Sequence, residues 1–428
     1  MIPTPGRWRL PRLLQDASWI SVALSAPQVV RGLVFLALAP LLGPEAYGLM
    51  GLAGVIVALA GLLMRDGWTT ALLRMDGLSD NLLSTCFWTL ALVSLAVLPL
   101  ILGGGYLLGR AFSEPLLPVI IVALSPGLLA EALGVPARAW LLRNGRSRSV
   151  ALGSSAAAIA AGLTAVGTAL VGLGVWSLVL FNLLLPSGTA AILSMQSTWK
   201  PGAHFALREI RPIVGFTVKI VAANTVSVLE QIALRSFVTG VFGTAGLGTL
   251  MLARRIVELI AGGASMALGR ASLIGLVRDP ADSPGRRKTL VQAMRFGLVL
   301  AVPVAALLAI AGGPAVLWLA GPDWQQSVPL IRLSAILVLA LPLNAILAQW
   351  HYSHDRAGLE LGLRVLGTVL LLALLPIVFL AGLEGVVLAM AGRAWVLLLC
   401  RLTLIFGRGK ALAALGAGTV RSPSHPRV

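Results

Sequence analysis

Charge is scarce in this chain. Only 11% of its 428 residues are charged, and the 16 acids are outnumbered by 33 Lys and Arg. Soluble globular domains carry about a quarter of their residues as charges. A chain this apolar, at 58% hydrophobic and mean hydropathy +0.93, lacks the polar surface to coat a water-soluble body. Cysteine is nearly absent. Cys86 and Cys400 stand far apart in apolar runs, which excludes a disulfide framework and zinc-ligand spacing and leaves two small packing residues. There is no Gly-Lys-Ser/Thr phosphate loop, no His-Glu-x-x-His, and no long polar stretch to house a soluble active site. The only polar candidates are the first fourteen residues and the tail after Gly407. Enzymatic chemistry, ATP hydrolysis in particular, is excluded, and no cofactor is implied.

What the chain does have is long apolar runs. A membrane span needs about 20 mostly apolar residues. Candidates lie near 15–39, 46–64, 84–108, 116–136, 150–170 and 175–195, and again near 212–241, 246–268, 290–312, 328–350, 359–381 and 386–406. Arg7, Arg9 and Arg12 precede the first run as they would in a signal peptide. That run continues to Leu42, too long for such a segment, and reads as a span. Pro27, Pro186, Pro303, Pro342 and Pro376 fall inside spans, where neighbouring helices re-satisfy freed backbone groups. The expected fold is therefore an all-α integral membrane protein of about twelve transmembrane helices.

The basic residues test this count independently. Loops sharing a side with the N-terminus (1–14, 65–83, 137–149, 196–211, 269–289, 351–358 and 407–428) hold 22 of the 33 Lys and Arg. The opposite loops hold one, Arg110, beside Glu45, Glu114, Asp323 and Glu384. This is the positive-inside pattern, alternating through all twelve spans, and it places both termini in the cytoplasm. The +17 net charge thus marks loops facing anionic lipid. The Arg286–Arg287–Lys288 cluster belongs to the same pattern, and no nucleic-acid partner is implied.

The two halves echo each other. Gly43 and Gly48 match Gly243 and Gly248 at an offset of 200 residues. Trp140, Arg146 and Gly172-Leu173 match Trp350, Arg356 and Gly382-Leu383 at an offset of 210. Six spans per half is an even number, so both halves enter the membrane in one orientation as parallel repeats, with a ligand site between them. The expected organisation is a cytoplasmic segment 1–14, a six-helix bundle 15–195, a cytoplasmic linker 196–211, a second bundle 212–406, and a cytoplasmic tail 407–428.

Several stretches carry a family resemblance. LLGPEAYGLMGLAGVIVALAGLLMRDG, beginning at Leu41, is followed by ALLRMDGLSDNLLSTCFW and, at 173–180, by LGVWSLVL. In their order and spacing they resemble the polysaccharide-export (Wzx-like) branch of the multidrug/oligosaccharidyl-lipid/polysaccharide transporter superfamily. VPARAWLLRNGRSRSVAL (135–152) is similar to that family's fourth-to-fifth helix loop, and GPDWQQSVPLIRLSA (321–335) to its ninth-to-tenth loop. The resemblance covers about residues 15–405. It implies a flippase of the bacterial inner membrane that moves a polyprenyl-pyrophosphate-linked oligosaccharide from the cytoplasmic to the periplasmic leaflet. It also implies two six-helix bundles that rock around a central cavity, with polysaccharide polymerase and export proteins as partners beside the lipid bilayer. The chain departs from the family pattern in its seventh helix, with Glu230-Gln231 where relatives often carry Asp-Asn. Arg235 stands there in place of a small residue, and Ser236 in place of an Arg.

Charges within spans are the candidate site. A basic residue at a helix centre costs about 2.5–3.5 kcal/mol to insert, so deep ones need a wet cavity or a partner. Lys219, Arg295, Arg364 and Arg401 lie near enough to a span end to snorkel. Arg254 with Glu258, and Glu360 with Arg364, are spaced as intrahelical i,i+4 ion pairs. With Glu258 assigned to Arg254, Arg31 and Arg255 are the mid-span arginines to which sequence spacing gives no i±3 or i±4 acid of their own. They are expected to line the cavity and hold pyrophosphate, with Arg235, Lys219 and Arg254 assisting, because a planar guanidinium donates two hydrogen bonds to phosphate oxygens. The bland counterpart is an arginine that packs the bundle by bonding backbone carbonyls. Glu230, Glu258, Glu131 and Asp66 are the gate or ion-pair residues. His351 and His354 read as surface residues of a cytoplasmic loop, without the carboxylates a metal would want. Trp68, Trp88, Trp176, Trp199 and Trp324 stand at span ends, where interface anchoring accounts for most of them.

Three rival functions fit parts of this pattern. A cation-coupled drug extruder would share the twelve-helix plan but want acids in mid-span, where bases prevail here. A lipid II flippase would suit the second-half basic residues equally. A membrane glycosyltransferase or polymerase would want catalytic groups on a large periplasmic loop, and the longest such loop, 313–327, has only Asp323 as an acid.

Overall fold

Gly43 and Gly243 set the architecture. Each sits inside an otherwise continuous run of helix, α1 (Leu10–Met64) or α8 (Leu207–Val257), at a φ of 69° with ψ near 180°. That conformation is open to glycine and strained for residues with a Cβ, so each long helix breaks there into two limbs. The computed structural model describes residues 10–64, 67–75, 77–263, 283–354 and 356–407, with a few helical positions between 265 and 276. Side chains are described from Gln28 onward, apart from scattered helical positions.

Among the described residues every regular element is helical. Between the two long helices lie α2 (Trp68–Arg74), α3 (Asp80–Ala111), α4 (Leu116–Leu133), α5 (Val135–Arg143), α6 (Ser147–Leu170) and α7 (Val175–Gln196). After α8 come α9 (Pro284–Ile310), α10 (Gly312–Ala320), α11 (Ser327–Tyr352), α12 (Ala357–Leu374) and α13 (Val378–Leu402). Among these residues 9 stretches are long and apolar enough to cross a membrane. Three of them, Gln28–Arg74, Asn224–Gly262 and Gly358–Phe406, contain an interrupting positive-φ glycine (Gly43, Gly243 and Gly382) and count double. The chain is a multi-pass, all-α membrane protein, and the described residues are consistent with the expected number of about twelve spans. Its outward faces are apolar, with Leu95, Leu107, Leu163 and Leu170 each 60–70% exposed. Such faces belong against lipid rather than water. Several hydroxyls within the spans are satisfied locally: Thr85, Thr89, Thr164, Thr168 and Thr189 each donate to the carbonyl four residues back.

Contacts divide the chain into two units. The first runs to Leu259 and takes in Gly313–Val328; the second comprises Ile260–Gly312 and the chain from Pro329. The linker expected at 196–211 lies inside the first unit, pinned to the start of α3. There Trp88 donates to the Gly202 carbonyl (2.8 Å), Trp199 to that of Asp80 (3.3 Å), and the Gly202 amide to Ser84 Oγ (3.0 Å). Trp199 and Trp68 are buried in one apolar cluster with Leu72, Leu83 and Ile213. Trp324 is fully buried, donates to the Ala39 carbonyl (3.0 Å) and meets Tyr47 edge to face at 5.1 Å. The reading of these tryptophans as interface anchors is therefore corrected for Trp68, Trp199 and Trp324. Each has enough apolar neighbours to be worth more inside than at a headgroup.

The second unit packs α9, α11 and α13 around Leu290, Leu343, Leu347, Trp350 and Leu398. Pro376 lies in a 3-10 turn, Leu375–Ile377, between α12 and α13. The expected repeat is visible in backbone detail. Arg146 caps α6 at φ −91°, ψ 39°, and Arg356 caps α12 at φ −96°, ψ 41°. Arg146 N donates to Leu141 O (2.9 Å), and Arg356 N to His351 O (3.0 Å), 210 residues on in both partners.

Candidate functional site

A cavity of about 510 Å³ opens in the first unit among α1, α2, α4, α5, α6 and α7. Its wall carries Gln28 and Arg31 from α1, Glu131 from α4, Arg138 from α5, Ser154 from α6 and Asn182 from α7. These are polar groups in spans that are otherwise apolar. Their convergence on one void has a local cause. Pro126 lies within α4 and Pro186 within α7, while Gly134 joins α4 to α5 so tightly that a Cβ there would lie 2.8 Å from Ala190. Ser154 is buried, and its hydroxyl has no hydrogen-bond partner among the described residues. Asn182 Nδ2 is turned to the Leu178 carbonyl (2.9 Å), which leaves its oxygen for a ligand. Two guanidiniums against one carboxylate make the lining net basic.

Of the residues singled out from sequence, Arg31 and Glu131 are brought together in this wall. Arg138 is a new member. Its position in a basic cytoplasmic stretch marked it only as a topology charge, although Pro136 at the start of α5 announces a helix just there.

Arg254, Arg255 and Glu258 cluster at the end of α8, where the helix passes into a π-turn, Glu258–Gly262. Here the reading of Arg255 as unpaired is corrected. Glu258 stands at i+3 from it as well as at i+4 from Arg254, and it lies nearer Arg255 (3.2 Å) than Arg254 (3.9 Å). Arg255 also donates to the carbonyl of Gln28 (3.1 Å), so this cluster adjoins the cavity through a lining residue. Arg235 is held elsewhere. It donates to the Gly51 carbonyl (3.1 Å) and to Gln231 Oε1 (3.3 Å), the carbonyl-bonded packing role. Glu230 is half-buried one residue from Gln231. Asp66 and the side chain of Lys219 lie outside the described residues.

Two expectations for the second unit are also corrected. Arg401 does not snorkel and His351 is not on the surface. Together with Glu360 they are buried, at 6%, 1% and 2% exposure. Arg401 Nη2 and Nε both reach the Glu360 carboxylate, Arg401 Nη1 donates to Asn344 Oδ1, and His351 Nδ1 lies 3.1 Å from Glu360 Oε2. Arg364, expected to pair with Glu360, donates instead to the Tyr352 hydroxyl (3.0 Å).

Comparison with known proteins agrees with this architecture. In sequence the chain is 22% identical over 349 residues to the lipopolysaccharide biosynthesis protein WzxC of Escherichia coli K12, covering 77% of this chain and 67% of that protein. In fold it is similar to the lipid II flippase MurJ in an inward closed conformation, with TM-score 0.72 and 14% identity over 90% of this chain and 87% of that one. It is also similar to an inward-facing multidrug resistance MATE family transporter of the MOP superfamily, with TM-score 0.69 and 17% identity over 94% of this chain and all of that one. The fold is that of membrane transporters and flippases, not of enzymes. A family model described as polysaccharide biosynthesis protein matches residues 37–329, and the chain belongs to that family.

Proposed function

We propose that this protein is a flippase of the bacterial inner membrane. It carries polyprenyl-pyrophosphate-linked oligosaccharide units from the cytoplasmic to the periplasmic leaflet for polysaccharide assembly. The observation behind this reading is the cavity wall, where Arg31 and Arg138 face a void shared with Gln28, Ser154 and Asn182. Guanidinium forks suit a pyrophosphate, and the neutral amides and hydroxyl suit sugar hydroxyls. The halves 15–195 and 212–406 serve as the two bodies of an alternating-access cycle, with both termini cytoplasmic. Polysaccharide polymerase and export proteins receive the product.

The test is a deletion strain in which lipid-linked units and surface polysaccharide are followed by mass spectrometry. The deletion strain should accumulate the pyrophosphate-linked unit inside and lose surface polymer, and the wild-type gene should reverse both. R31A and R138A should each lower the flipping rate at least about tenfold, equivalent to about 1.4 kcal/mol of lost phosphate contact. Unchanged polysaccharide, with new sensitivity to cationic dyes, would instead favour a drug extruder.

A further inference from the structure

The buried triad of the second unit has a counterpart in the first, and the counterpart is apolar. His351 and Glu360 stand 210 residues after Leu141 and Val150, in the same backbone frame. Val150 N donates to Arg146 O (3.2 Å) and Glu360 N to Arg356 O (3.3 Å), beside the matched bonds to Leu141 and His351. Past the next turn the backbone corrects the offset to 208, since Gly382 matches Gly174 in conformation rather than the Gly172 that the sequence alignment at 210 pairs with it. Gly174, entering α7, has φ 58° and ψ −132°, and Gly382 in α13 has φ 59° and ψ −147°. At that offset Arg401 answers to Leu193. Leu141, Val150 and Leu193 pack against one another, each at most 1% exposed. One half of the molecule therefore closes this helix junction with three aliphatic side chains. The other closes it with an imidazole, a carboxylate and a guanidinium.

The aliphatic version shows that the frame does not need charge. Burying ions carries a desolvation penalty that their attraction only partly offsets, and apolar replacements of buried ion pairs are often neutral or stabilising. The charged version is thus in place for something other than closure. Its bonding indicates what. A carboxylate can only accept, so the imidazole proton of neutral His351 sits on Nδ1, directed at Glu360 Oε2. Nε2 then presents a lone pair, and it is buried without a partner among the described residues. Glu360 is already matched by the side-on fork of Arg401, which leaves the triad neutral and His351 the one group able to gain charge. Four other titratable or charged groups on or next to the surrounding helices make bonds outside the triad. Arg286 on α9 donates to the Ser353 carbonyl (2.7 Å), His354 bonds the Trp350 carbonyl (2.8 Å), and Arg364 and Tyr352 bond each other. A single imidazole nitrogen with no second ligand suits a proton rather than a metal ion.

We propose that His351 is a proton-binding site of the second unit, taking a proton at Nε2 against the Glu360–Arg401 pair, and that this proton is bound and released during the transport cycle. The binding site stands on the geometry above, and only its use in transport rests on the flippase reading. The first test is deuterium exchange at the imidazole C2 position, read by mass spectrometry on the full-length protein in detergent from about pH 5 to about pH 9. The rate at His351 should follow a sigmoid in pH whose midpoint moves by at least about half a unit in E360Q. A flat profile, or a midpoint indifferent to Glu360, overturns the site. The second test is H351L/E360V/R401L, which installs the first unit's own packing and so guards against simple unfolding. This variant should melt no lower than wild type yet support at least tenfold less surface polysaccharide in the deletion strain. If it folds and supports wild-type polysaccharide, the proton has no part in transport. If the deletion itself leaves lipid-linked units unchanged, the flippase reading fails, and the exchange profile still decides the proton site.

Discussion

Gly48 and Gly248 sit back to back where the second limbs of α1 and α8 cross. A Cβ on Gly48 would lie 1.6 Å from the Thr244 carbonyl oxygen, and one on Gly248 would lie 1.8 Å from that of Pro44. Each glycine is thus pressed onto the backbone at the start of the other's limb, and the two stand 200 residues apart in the repeat. Close approach through small residues is the main way apolar helices gain affinity in lipid, where there is no hydrophobic drive between them. G48A and G248A should each cost about 3 kcal/mol or more, the upper end of overpacking, because backbone cannot rotate away as a side chain can. Thermal unfolding in detergent checks this. Gly167, with nothing within 4 Å of its Cβ position, is the control, and G167A should leave the midpoint unchanged or raised.

Arg235 offers a cleaner division between packing and substrate contact. Its Nη1 reaches the Gly51 carbonyl through the space left by Gly54, where a Cβ would stand 2.5 Å from that nitrogen. G54A and R235M should therefore lower the unfolding midpoint together, with the double variant no worse than the sum of the two. The expected loss for R235M is about 1.5–3 kcal/mol, that of a charged hydrogen bond to backbone. If R235M unfolds like wild type but loses transport, Arg235 contacts substrate and the packing assignment fails.

Trp324 carries the same logic in the 3-10 turn Pro322–Trp324 that follows α10. Its indole N–H bonds the Ala39 carbonyl, and its ring closes an edge-to-face chain with Tyr47 and Phe35. W324F keeps the ring and loses the bond, for about 1 kcal/mol. W324A should lose about 3–5 kcal/mol as the cavity opens. Melting midpoints of the two variants in detergent should fall in that order. Equal losses would mean that the hydrogen bond, not the ring, carries the contact.

What was legible in the sequence was written in one dimension. Span lengths, alternating basic loops, and the glycines at 43, 48, 243 and 248 need no knowledge of which helices touch. Partners set by the fold were not legible. The local i,i+4 rule offered Arg364 to Glu360, whereas the carboxylate sits between His351 on α11 and Arg401 on α13, 9 and 41 residues away. Arg255 went astray by a smaller error, since Glu258 is within one helical turn of two arginines and was credited to one. Arg138 escaped because a basic residue in a cytoplasmic stretch already had an explanation, and topology alone does not reveal that α5 turns it into the cavity.

Glu131 is the sole acid in the cavity wall among the described residues, and it tests the sign of the cargo. For an anionic substrate, the carboxylate opposes the charge that Arg31 and Arg138 attract. For a cationic one, it is the group that matters. E131Q removes the charge and nearly keeps the shape. An anion carrier should therefore retain flipping, with surface polysaccharide in the deletion strain at or above the wild-type level, while R31A/E131Q should still be impaired for want of the guanidinium. A cation exporter should lose its activity with E131Q alone, since a carboxylate that binds cation or proton has no substitute in the amide. Measuring polysaccharide and dye resistance in the same E131Q strain separates these outcomes. Loss of polysaccharide in E131Q at unchanged protein level would remove the present account of how the cavity holds pyrophosphate.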